Sequence, residues 1–159
     1  MVPGTVQFST TNLVLKSLAQ FDTFKVKRLE INDAGPSSGD LPYQMLLRMK
    51  ALRTLTLYHC QSPHLFINAL RPSMSSNAVA CLKLEELILV LRTDETLEIE
   101  DVIEMAAARA SRGAKFKSVR IVSSNETIQI DSLELKKHVL HVECGPDVGI
   151  PYYDSGDES

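Results

Sequence analysis

Leu52, Leu55, Leu57 and Cys60 follow the spacing L-x-x-L-x-L-x-x-C in the middle of the chain, and that spacing returns elsewhere. It comes back as Val26, Leu29, Ile31 and Ala34, as Leu84, Leu87 and Leu89, as Phe116, Val119, Ile121 and Ser124, and in shortened form as Val139, Val142 and Cys144. First positions are separated by 26, 32, 32 and 23 residues (26 to 52, 52 to 84, 84 to 116, 116 to 139). Steps of that size mean that successive segments occupy equivalent places in one architecture. Alternation within each copy has the period of two expected of a strand. Uneven steps mark a degenerate array with loop insertions.

Parallel strands need a crossover between them, so each interval should carry a helix or its equivalent. Gly35, Pro36, Ser37, Ser38, Gly39 and Asp40 form a loop into a helix over 41–49, where Pro42 suits the first turn and Met45, Leu46 and Met49 share a face. Ser62 and Pro63 read as an N-cap and a first-turn proline, with Leu65, Phe66, Ala69 and Leu70 helical until Pro72. The interval over 99–112 is the clearest. Glu98, Glu100 and Asp101 open it, Arg109 and Arg112 close it before Gly113, and Val102, Ile103, Ala106 and Ala110 lie on one side. Asp131 and Glu134 have the spacing of a capping box. A helix over 12–21 is expected before the first full copy, and Val6 to Phe8 as a remnant strand.

The nine-residue spacing is the signature of leucine-rich repeats. The fold class expected is therefore α/β: a leucine-rich-repeat solenoid with parallel strands on the concave side and helices on the convex side. It would hold about five degenerate repeats over residues 1–145, with room for a truncated N-terminal part, followed by a disordered acidic tail over 146–159.

Composition narrows the function. With 159 residues, 44% of them hydrophobic, and a mean hydropathy of -0.03, the chain can bury one domain core. Apolar runs such as residues 87–91 are far shorter than the roughly 20 residues of a membrane span, and Met1-Val2-Pro3-Gly4 has no secretory pattern. Three scattered cysteines do not make a disulfide framework and read as reduced thiols, so a cytoplasmic address is expected, reduced thiols being compatible with the nucleus as well. Seventeen basic against 20 acidic residues give a net charge of -3, which offers no general footprint for nucleic acid or an anionic membrane. The expected partner is a protein.

No catalytic, cofactor or metal residue is expected. Cys60 stands at the ninth position, which commonly sits inside the turn of this architecture. A nucleophile there, with His59 as base, would require two adjacent extended residues to face the same way. His59, Cys60, His64 and Cys81 match no usual zinc spacing. Arg109, Arg112, Lys115, Lys117 and Arg120 form a basic cluster that either contacts an anionic partner or, as such residues do more often, complements a helix end and solvates a turn. Asp154-Ser155-Gly156 with Ser159 is similar to a phosphorylated degradation signal, except that Asp157 stands where that signal has an apolar residue.

Several stretches resemble the leucine-rich-repeat portion of F-box-like proteins of mushroom-forming fungi. They are Cys81-Leu82-Lys83-Leu84-Glu85-Glu86-Leu87-Ile88-Leu89, Ile103-Glu104-Met105-Ala106-Ala107-Ala108-Arg109-Ala110, Ser111-Arg112-Gly113-Ala114-Lys115-Phe116-Lys117-Ser118-Val119, and His138-Val139-Leu140-His141-Val142-Glu143. The resemblance is one of sequence style over most of the chain. It implies repeats that hold a substrate, while an F-box docks onto a Skp-type adaptor of a cullin ubiquitin ligase. The segment before Phe21 departs from the family, with no recognisable F-box. The adaptor is therefore expected only if an F-box lies upstream. The other reading is a free-standing repeat protein for interaction or structure, without a ligase role.

In such a solenoid, residues between the leucines line the concave sheet, where partners usually bind. One row would run Arg28, Thr54, Glu86, Ser118 and His141; the next Glu30, Thr56, Ile88, Arg120 and Glu143; the third Asn32, Tyr58, Val90 and Val122. The partner-binding residues expected are Arg28, Glu30, Thr54, Thr56, Tyr58, Glu86, Ile88, Val90, Arg120 and Val122. Tyr58, Val90 and Val122, with Ile88 adjacent, would form an apolar patch facing water, unless the tail or an N-terminal segment covers it.

Overall fold

The computed structural model describes residues 5–9, 25–32, 40–75, 78–91, 97–123 and 132–145. The helix expected over 12–21, Asp131 of the capping box and the tail over 146–159, with its Ser155 motif, lie outside the described residues. Six strands, β1 (Thr5–Ser9), β2 (Arg28–Asn32), β3 (Thr54–Tyr58), β4 (Glu86–Leu91), β5 (Ser118–Ser123) and β6 (His141–Gly145), form one sheet in chain order, and every pair is parallel. Helices α1 (Asp40–Arg48), α2 (Pro63–Leu70), α3 (Ile99–Ser111) and α4 (Ser132–Lys136) alternate with β2 to β6. Each helix touches the next. The architecture is α/β with a parallel sheet. The expected remnant strand at Val6 is a full five-residue strand, with Val6 opposite Leu29 and Phe8 opposite Ile31.

Strand pairing follows the aliphatic pattern. Arg28 stands opposite Thr54 (26 residues on), Thr54 opposite Glu86 (32), Glu86 opposite Ser118 (32) and Ser118 opposite His141 (23). These are the steps of the aliphatic motif. The reason is that a slip of one residue in any strand would carry its leucines to the other face of the sheet. Backbone bonds fix the starts of β3, β4 and β5: the Lys27 carbonyl accepts the N–H groups of Arg53 (2.8 Å) and Thr54 (3.1 Å). The Arg53 carbonyl accepts those of Glu85 (2.8 Å) and Glu86 (2.9 Å), and the Glu85 carbonyl those of Lys117 (2.8 Å) and Ser118 (3.1 Å).

One face of the sheet is spent on the core. Leu29, Leu55, Leu87 and Val119 form one buried row, Ile31, Leu57, Leu89 and Ile121 the next, and Leu52, Leu84, Phe116 and Val139 lead into them. Met45, Leu46 and Met49 from α1 and its end, Phe66 and Leu70 from α2, Val102, Met105 and Ala106 from α3, and Leu135 from α4 belong to the same cluster. Burying each large side chain contributes about 1.5–3 kcal/mol. Cys60 is buried after β3, and its thiol donates to the Ile31 carbonyl of the preceding strand at 3.7 Å. His59 takes up the turn with a left-handed φ of 50°.

The inward face of α3 differs from the one expected. Ile99, Val102, Met105, Ala106 and Arg109 are buried, while Ile103 and Ala110 are half-buried. The helix is turned so that an arginine faces inward, because carbonyl oxygens wait for it there. Beyond α3 the chain reverses at Gly113, whose φ of 77° favours glycine. The Gly113 N–H donates to Ala110 (3.1 Å) and that of Ala114 to Arg109 (2.9 Å).

Leu87→Ala should lower stability by about 2–5 kcal/mol and Cys60→Ala by about 1–3 kcal/mol in urea unfolding. Leu133, which is exposed, should tolerate alanine to within about 0.5 kcal/mol. Equal losses at Leu87 and Leu133 would contradict the core assignment.

Candidate protein-binding face

Side chains alternate across a strand, so the residues between core-facing ones lie on the sheet's second face. The pairing assembles the three expected rows: Arg28, Thr54, Glu86, Ser118, His141; Glu30, Thr56, Ile88, Arg120, Glu143; and Asn32, Tyr58, Val90, Val122. All ten expected partner-binding residues thus share one face. Exposure within it is uneven. Arg28 and Glu86 are exposed, and Glu30, Tyr58, Ile88 and Arg120 are half-buried. Thr54, Thr56, Val90 and Val122 are buried.

The water-facing apolar row is therefore a correction: only Tyr58 and Ile88 present apolar surface, since Val90 is 4% and Val122 7% exposed. Strands about 4.8 Å apart let long side chains close over short ones in the same row. Thr54 sits between Arg28 and Glu86, and Thr56 between Glu30 and Ile88. The face is a floor of small side chains with a charged rim. On that rim Arg120 Nε donates to Glu143 Oε2 at 2.7 Å.

The basic cluster expected near the end of α3 does not exist as a unit. Arg109 is 0% exposed. Its Nη1 donates to the carbonyls of Leu70 (3.2 Å) and Ala80 (2.7 Å), its Nη2 to that of Cys81 (2.8 Å), and the guanidinium lies 4.9 Å from the centre of the Phe116 ring. Nε has no hydrogen-bond partner among the described residues. Burial brings the Arg109 pKa down to about 10, which keeps it charged at neutral pH. Lys117 instead reaches Glu85 at 2.9 Å, Arg112 the Ser73 carbonyl at 3.4 Å, and Lys115 is exposed. Hydrogen bonding from Lys117, chiefly, holds the Glu85 carboxyl below its usual range.

Cys81 is buried in a left-handed turn, with φ 50°, and its thiol donates to the Leu46 carbonyl at 3.1 Å. Burial pushes its pKa up to about 12 against an opposing pull from Arg109. A thiol so held is a poor nucleophile. Among the described residues no group of three or more His, Cys, Asp or Glu side chains is placed to hold a metal ion. Nor is any helix of the described residues long and apolar enough to cross a membrane. The role of Arg109 went unforeseen, although Val102, Met105, Ala106 and Arg109 have the helical spacing of a single inward face.

Arg109→Met should lower stability by about 2–4 kcal/mol in urea unfolding, because three buried carbonyls lose their donor. Arg109→Lys should lose part of that, a single ammonium being unable to reproduce the planar fork. An unchanged midpoint in both variants would show that these bonds do not hold the loop. With iodoacetamide at about pH 8.5, half-buried Cys144 should be alkylated first, and Cys60 and Cys81 only on unfolding. Mass spectrometry of the labelled peptides reads the order. Because the folded-state pKa of Cys81 lies above its usual value of 9.0, its contribution to stability should be intact below pH 9 and fade as pH rises toward about 12.

In comparisons with known proteins, no family model, curated protein or solved structure matches this chain.

Proposed function

We propose that the chain is a leucine-rich-repeat solenoid acting as a protein-protein interaction module, the substrate-recognition part of an F-box-like ubiquitin-ligase subunit. The observation that carries this reading is the match between pairing offsets and aliphatic spacing. It commits one face of every strand from β2 to β5 to the core and gathers Arg28, Glu30, Thr54, Thr56, Tyr58, Glu86, Ile88, Val90, Arg120 and Val122 on the other. The buried ninth-position Cys60, bonded to the strand before it, supports the same reading. The ligase role rests on the resemblance of residues 81–89, 103–119 and 138–143 to the fungal F-box-like proteins.

Magnitudes limit what the face can do alone. The five strands β2 to β6 at about 4.8 Å and five residues at about 3.3 Å make a rectangle of roughly 400 Å². A stable protein interface takes about 800 Å² from each partner. A substrate must therefore also touch the loops around the sheet. Tyr58 and Ile88 are the anchors of the face, because partly exposed aromatic and aliphatic groups inside a polar rim carry most binding energy.

Two experiments separate the parts of the proposal. The product of the whole gene should co-purify with a Skp-type adaptor; absence of the adaptor sinks the ligase role and leaves a free-standing interaction protein. Partners cross-linked to the wild-type chain should be lost from Tyr58→Ala/Ile88→Glu and retained by Glu104→Gln on α3, with urea midpoints unchanged. Loss from the α3 variant alone would move the binding site off the sheet face.

A further inference from the structure

The net charge of -3 conceals an uneven distribution. In the turn entering β2 stand Lys25, Lys27 and Arg28; between the end of α1 and β3 stand Arg48, Lys50 and Arg53. All six are exposed, and residues 25–28 and 48–53 contain no carboxylate. Pairing brings the two turns together. The Lys27 carbonyl accepts the Arg53 N–H at 2.8 Å, and Arg28 stands opposite Thr54 in the ladder. Glu85, at the start of the next strand, meets Arg53 at 3.4 Å but is shared with Lys117 at 2.9 Å. No carboxylate among the described residues pairs with Lys25, Lys27, Arg28 or Arg48.

Helix dipoles account for little of this. Arg48 lies in the last turn of α1, where a cation is favoured, but the dipole's influence fades beyond that turn. Lys50 and Arg53 stand beyond it, Lys25 and Lys27 before β2, and Arg28 at the start of β2. Concentrating like charge on one corner costs self-repulsion unless an anion relieves it.

We propose that this strand-start corner of β2 and β3 is a docking site for an acidic polypeptide segment, a surface beyond the sheet face. Several features favour a peptide over a nucleic acid. Glu85 and Glu86 continue the edge at β4, so a long phosphate backbone following the strand starts would run into two carboxylates. Among the described residues, neither turn contains an aromatic side chain on which a base could stack. A short run of Asp or Glu fits between these limits, facing Lys25, Lys27, Arg28 and Arg48 at the two strand starts. The protein's net negative charge opposes polyanions at long range, so the attraction is local and acts within about 10 Å at 0.1 M salt.

Fluorescence anisotropy with a short fluorescein-labelled poly-L-glutamate tests the site on the full chain. The probe should bind at about 50 mM salt and weaken strongly by about 200 mM. Lys25→Glu/Lys27→Glu should weaken binding by about tenfold or more, and Lys25→Gln/Lys27→Gln by less, both with unchanged urea midpoints. Lys136→Glu, at the other end of the sheet, should leave it intact. No binding at low salt, equal loss in the Lys136 variant, or tighter binding of a labelled single-stranded oligonucleotide than of poly-L-glutamate would each overturn the proposal. The sheet-face variants Tyr58→Ala/Ile88→Glu should still bind the probe, so failure here and failure of the face are read separately.

Discussion

Every feature of this chain depends on keeping the same two side chains of each strand pointed at the helices. Parallel strands have no hairpin turn to fix their register, so register must come from elsewhere. Here it comes from the cost of error. Shifting β4 by one residue would take Leu87 and Leu89 out of the core and bury Glu86 and Ile88 in their place. Bifurcated carbonyls at Lys27, Arg53 and Glu85 add a local marker at the start of three successive strands. The connecting segments can then vary in length, because neither device depends on them.

Variable length creates a second problem, which Arg109 solves. The step from β3 to β4 is 32 residues where that from β2 to β3 is 26, and the extra chain follows α2. A segment without helix or strand leaves carbonyl groups that must find donors once buried. Arg109 serves two of them, at Ala80 and Cys81, together with the Leu70 carbonyl that ends α2, from one planar group. Cys81 in turn donates to Leu46 at the end of α1. Two side chains thus connect α1, α2, the inserted loop and α3 through backbone carbonyls. Burying a cation without a carboxylate is costly, and three hydrogen bonds with the Phe116 ring offset that cost.

Strand positions were legible in the sequence because aliphatic spacing and burial are the same physical fact. Leu55 and Leu57, or Val119 and Ile121, can be placed from their period of two and their return at a common phase. Helix starts were legible where Pro63 or Glu100 and Asp101 mark a first turn. Two things were not. Arg109 reads as a solvated helix end by residue type, and only its spacing from Val102 and Met105 points inward; type outweighed phase. The exposure of the sheet face also escaped, because whether Val90 faces water depends on what packs around it in the folded chain and not on the period of its own strand. Periodicity within a segment assigns a face and says nothing of how crowded that face is.

Exposure decides how the two proposed surfaces divide the work. Thr54, Thr56, Val90 and Val122 are buried, so the face offers few groups to desolvate on binding, and its area is too small for a stable complex by itself. Arg28 belongs to both surfaces: it opens the first row of the face and stands at the basic corner. A folded partner over the sheet with an acidic segment at the corner would use the exposed charges for encounter and the Tyr58–Ile88 region for residence, since rim charges act mainly on association and desolvated contacts on dissociation. Loops then supply the remaining area. In an array whose register is held by its core, connecting segments outside 25–28 and 48–53 can change without shifting either surface.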